Sequence, residues 1–108
     1  MSKVKLPKHY LTIRQKFEKF LSAVEDLGKV ARKEGPLDEK TAHLIQLAAA
    51  AAIRSEGAVH SHVKRACDAG AKPEEIYHAI IILASTIGFP TVAAALSWVS
   101  DILEKRQK

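Results

Sequence analysis

Cysteine is nearly absent from this sequence. Cys67 stands alone among 108 residues, so no disulfide can close within the chain and nothing points to an oxidising compartment; the cytoplasm is the expected location. Long apolar runs are also missing. The longest stretch, residues 44–53, is interrupted by Gln46 and is too short to cross a bilayer, so no membrane partner is expected. Residues 1–8 are basic, but Arg14, Lys16, Glu18 and Lys19 interrupt the stretch behind them, and no signal peptide is expected. Aromatic residues make up only 6% of the chain, which leaves its basic clusters without interleaved stacking groups. The net charge of +5 gathers at the two ends, in Lys3, Lys5, Lys8, Arg14, Lys16 and Lys19 and in Lys105, Arg106 and Lys108. With no helix-turn-helix or zinc-finger spacing, these charges read as solvated faces, and no nucleic-acid partner is expected.

What is present is helical periodicity. Hydrophobic residues make up 47% and charged residues 27%, a globular balance in which alanine carries much of the apolar share and favours close helix packing. Residues 1–8 read as a loose arm. Ile13, Phe17, Phe20, Leu21, Val24, Leu27 and Ala31 then recur at spacings of three and four, which predicts one long amphipathic helix over residues 8–33, stopped by Gly35-Pro36. Asp38 offers a cap to a second helix carrying Leu44, Ile45, Leu47, Ala48, Ala51 and Ala52, and Gly57 breaks that pattern. A third helix is expected over residues 58–69, with Val59, His62, Val63 and Ala66 facing inward and Gly70 after it. Pro73-Glu74-Glu75 starts a fourth, over residues 73–87, apolar nearly all round and so expected to be buried on most sides. A fifth helix comes after Gly88-Phe89-Pro90, over residues 91–105. The expectation is therefore an all-α bundle of five helices in one domain, with residues 1–36 as arm and long helix and residues 37–108 as the core. So much apolar surface exceeds what one small chain hides, and a homo-oligomer is expected.

The reactive candidates are histidines. His62 lies on the inward stripe of the third helix, where a ring hydrogen-bonded in the core is the plain alternative to a catalytic one. His60 lies about 200° round the same helix, so the two rings face different ways; its placement in the expected first turn suits a neutral, proton-accepting ring. His43 on the second helix meets His62 if the two helices pack antiparallel. His78 reads as a core or interface residue, and His9 as solvated. His60-x-His62 does not set two ligands on one helix face, so no metal is expected. Glu56 is a candidate acid/base partner or a simple capping residue. Cys67 reads first as a small packing residue, with a thiol activated beside Lys64 as the alternative.

Three blocks carry a family likeness: residues 37–45 (LDEKTAHLI), residues 62–76 (HVKRACDAGAKPEEI) and residues 88–90 (GFP), ahead of an alanine-rich helix. With them the chain resembles the carboxymuconolactone decarboxylase / alkylhydroperoxidase-D-like superfamily over about two-thirds of its length. The resemblance implies an all-α, alkylhydroperoxidase-D-like bundle assembled into dimers, trimers or hexamers. Redox members place Cys-x-x-Cys before the histidine and a glutamate in the preceding helix. The matching positions here are Ser55, Ala58 and His43, so His62 alone of that relay is kept. The decarboxylase branch lacks the cysteines and keeps this histidine and the Gly-x-Pro turn; the tyrosine often found before the turn is replaced near Thr86. The resemblance thus implies a cofactor-free lyase or isomerase. His62 would move a proton on a small carboxylate-bearing substrate, with His43, His60 and Glu56 assisting and Arg54 and Ser55 binding. The alternatives are a non-catalytic oligomeric binding protein and a peroxiredoxin-type antioxidant; the missing cysteine pair disfavours the latter.

Overall fold

A computed structural model describes residues 8–106, all of whose regular structure is helical; the expected arm over residues 1–8 lies, but for Lys8, outside the described residues. Seven helical segments occur among the described residues: α1 (Lys8–Lys16), α2 (Glu18–Lys33), α3 (Glu39–Ala52), α4 (Glu56–Asp68), α5 (Pro73–Ile81), α6 (Ala84–Ile87) and α7 (Phe89–Arg106). They form two compact units, one ending at Asp38 and one beginning at Glu39.

In the first unit the single long helix expected over residues 8–33 is two helices, because Phe17 leaves helical backbone space at φ −135° and ψ 54°. Glu25 of α2 ties the two helices together. Its carboxylate accepts from both the Tyr10 hydroxyl and the Arg14 guanidinium. In an unbroken helix residues 10 and 25 would stand about 22 Å apart. The Arg14 guanidinium also lies 5.7 Å from the centre of the Tyr10 ring, within cation–π range.

The second unit holds the core. Leu47 of α3, Val59 and Val63 of α4, Ile76 and Ile80 of α5, and Val92 and Val99 of α7 are fully buried. Alanines at 50, 51, 66 and 95 are buried among them, and their small side chains let the backbones approach closely. α4 packs against both α3 and α7, and α5 also lies against α3 and α7.

α3 and α4 end in the same way. Ser55 N–H donates to Ala50 C=O at 3.0 Å and Arg54 N–H to Ala51 C=O at 3.0 Å; Ala71 N–H donates to Ala66 C=O at 2.9 Å and Gly70 N–H to Cys67 C=O at 3.0 Å. Both are Schellman caps, which need a left-handed residue after the helix. Glycine supplies it at Gly70 (φ 100°), whereas Arg54 supplies it at φ 58°. A side chain in that conformation costs about 1–2 kcal/mol. The break between these helices therefore falls at residues 53–55 rather than at Gly57, which lies in the first turn of α4.

The expected fourth helix is also divided. The backbone at Ile82 and Leu83 stays right-handed but tightens, with ψ −16° and −9°, and Leu83 N–H turns to Ile80 C=O at 3.0 Å. Burial on most sides is not observed there: Ile81 and Ile82 are more than half exposed, and His78, expected in a core or interface, is exposed within this chain.

Pro73 opens α5, and Glu75 reaches back to accept from Lys72 N–H at 2.9 Å and from Lys40 Nζ of α3 at 3.1 Å. The Lys72 backbone bond first, then Lys40, holds the Glu75 carboxyl below its ordinary 4.5. A depressed folded-state value means that Glu75 contributes stability above its unfolded pKa and loses it as pH falls through the folded one. Glu75→Gln is therefore expected to lower Tm at pH 7, and the gap from wild type to close in thermal melts taken at progressively lower pH, below 4.5.

Candidate active site

The antiparallel pairing of α3 and α4 brings His43 and His62 side by side, with ring centres 6.0 Å apart and planes tilted by 42°. His43 is buried, 4% exposed, although it is a polar residue in an otherwise apolar interior. Glu39, one helical turn before it, sets a carboxylate oxygen 3.4 Å from His43 Nε2. His62 has a buried Nδ1 but keeps part of its surface in solvent. The three residues thus run from an exposed carboxylate through a buried imidazole to a half-buried one. One turn beyond His43, the side-chain oxygen of Gln46 is buried and accepts no hydrogen bond among the described residues.

His60 belongs to a different contact. It sits in the second turn of α4, not the first, because the helix begins at Glu56. Its Nε2 lies 3.2 Å from Asp101 Oδ2 of α7 and 4.0 Å from Glu56 Oε2. The structure therefore brings together His43 and His62, and separately His60 and Glu56. Asp101 is invisible to periodicity because its meeting with His60 depends on how α7 crosses α4. Glu39 has a local signal, the i,i+4 spacing to His43.

Arg54 projects from the α3–α4 connection and donates to Thr91 Oγ1 at 2.9 Å. Ser55 is the N-cap of α4, its hydroxyl oxygen accepting from Ala58 N–H at 3.4 Å. Cys67 does not have an activated thiol. Partial burial pushes its pKa above the ordinary 9.0; Arg106 opposes this in part, and the Asp68 carboxylate adds a smaller upward effect.

A helical hairpin that sets a buried His43 against a half-buried His62, with no thiol at Ser55 or Ala58, defines the class. The family model for the carboxymuconolactone decarboxylase family matches residues 18–101, and the chain belongs to that family. Its fold is similar to the crystal structure of a carboxymuconolactone decarboxylase family protein from Legionella pneumophila in its apo form, with a TM-score of 0.77 and 24% identity over 89% of this chain and 86% of that one. No match is found among curated proteins. Among the described residues, no helix is long and apolar enough to cross a membrane.

Proposed function

We propose that this chain is a cofactor-free lyase or isomerase in which His62 transfers a proton on a small carboxylate-bearing substrate. The observation that carries the reading is the buried His43, flanked by the Glu39 carboxylate and set against the partly exposed His62. In this reading Glu39 fixes the His43 ring, His43 fixes His62, and His62 meets the substrate. Proton transfer by a positioned histidine is worth about 10²–10⁴ in rate. Exposed Arg54 is the cation for the carboxylate. Ser55 serves through its cap, which sets the start of α4, and His60 and Glu56 stand outside the proton-transfer line. The test is to offer carboxymuconolactone and related lactone acids and follow loss of substrate by absorbance together with carbon dioxide release. Turnover supports the reading; inertness toward the whole series removes it.

Peroxidase chemistry finds less support. Ser55 and Ala58 carry no thiol, and burial raises the pKa of the remaining thiol at Cys67, the opposite of thiolate activation.

The second reading is a non-catalytic oligomeric binding protein, and the observation in its favour is the exposed apolar face formed by α3, α5 and the Ile82 that follows α5. Ile45 and Ile82 are 51% and 58% exposed and border a groove of about 370 Å³ that Leu44, Ala48 and Ala79 also line. Assembly with a second copy of the chain, which either reading allows, would cover this face. Ile82→Glu is expected to lower the molar mass measured by light scattering to that of a smaller species while leaving helix content unchanged. An unaltered mass would place the contact elsewhere.

A further inference from the structure

We infer that Glu56, His60 and Asp101 form a surface site for a divalent transition-metal ion, zinc being the best match to their chemistry, independent of the His43–His62 pair. Their ligand atoms all lie within 4.8 Å of one another. His60 Nε2 is 3.2 Å from Asp101 Oδ2 and 4.0 Å from Glu56 Oε2. Donors bound about 2.0–2.2 Å from zinc stand roughly 3.4 Å from each other at tetrahedral angles, so these separations need only small side-chain adjustment.

The arrangement has the parts such a site needs. Glu56 and His60 are four residues apart on α4, the spacing that sets two ligands on one helix face, which the His60-x-His62 pattern does not offer. Asp101 arrives from α7, so the ion would tie two helices together rather than decorate one. Two carboxylates and one neutral imidazole match a 2+ ion in charge, and the mix of nitrogen and oxygen donors suits zinc, cobalt or nickel better than calcium or magnesium. Both carboxylates are exposed, so an ion can reach the site from solvent and keep water in its remaining position.

The plain alternative is a hydrogen-bonded His60–Asp101 pair that binds nothing, and the experiment separates the two. The full chain, treated with chelator and dialysed, is titrated with zinc chloride by calorimetry, and Tm is measured with and without the ion. The wild type is expected to take up one ion per chain and to melt at higher temperature when loaded. Losing a supporting partner of a metal ligand costs about 10–100-fold in affinity, so losing a ligand should cost at least as much. His60→Ala is expected to weaken binding by about a hundredfold and Asp101→Asn by at least about tenfold. The asparagine retains an oxygen to accept from His60, so its zinc-free Tm should stay near wild type. The double variant His9→Ala/His78→Ala, which removes other imidazoles outside the site, should bind as wild type does. No uptake by the wild type, unchanged uptake by His60→Ala and Asp101→Asn, or uptake lost in the double control would each overturn the site.

Discussion

His62→Ala should abolish turnover and leave a folded helical protein. The side chain is only half-buried, and its neighbours on the α4 stripe, Val59, Val63 and Ala66, supply the contacts that seat the helix. Under the proposed proton-transfer reading, removing the ring takes away an acid/base group worth about 10²–10⁴ in rate while sparing most of the packing. His43→Ala provides the contrast. That ring is buried against α4, and its loss leaves a cavity, so activity and Tm should fall together. The measurements are initial rates on the lactone acids of the proposed substrate series, with circular dichroism to verify the fold. Wild-type rates in His62→Ala would refute the assignment of the proton-transfer group. A fall in rate matched only by loss of folded protein would reduce His62 to a packing residue.

Leu47→Ala is expected to cost about 2–5 kcal/mol, the usual range for removing a buried leucine side chain. Leu47 is fully buried at the centre of the second unit, on the helix that packs against α4, α5 and α7. Domains of this size are stable by about 5–15 kcal/mol, and each kcal/mol moves Tm by roughly 4–8 °C, so a drop in Tm of at least about 8 °C is expected. Ile82→Ala is the matched control on an exposed isoleucine. Within an isolated chain it should change stability by less than about 0.5 kcal/mol. A larger loss at Ile82, scaling with protein concentration, would show that a second copy covers it. A Leu47→Ala shift no larger than that of Ile82→Ala would mean that the core lies elsewhere.

Helix identity and the inward faces are more legible in the sequence than the breaks are. Val59, Val63 and Ala66 stand out as a buried stripe because three- and four-residue spacing reports on one helix against one core. The divisions at Phe17 and at Ile82–Leu83 do not stand out, since neither carries a proline or glycine. One is bridged by a distant carboxylate, Glu25, and the other is a slight tightening of the backbone. Gly57 draws the expected α3–α4 boundary two residues too late because glycine usually punctuates a helix; here Arg54 takes the left-handed conformation instead. All-round apolarity in residues 76–83 suggests burial, although it fits equally a helix with one face in the core and another left uncovered. For the site, the resemblance supplies His62 and His43, and the i,i+4 rule contains Glu39. Pairing between helices, such as His60 with Asp101 or Arg54 with Thr91, has no periodic signature in the chain.

The three residues that join α3 to α4 set an angular register as well as a turn. Each residue advances a helix by about 100°, so one inserted or deleted position beside Arg54 would swing His62 a quarter-turn or more away from His43 and carry His60 off Asp101 in the same motion. The length of that short connector is thus a component of both imidazole sites, and tolerance to insertion should be far lower there than its solvent-facing position suggests.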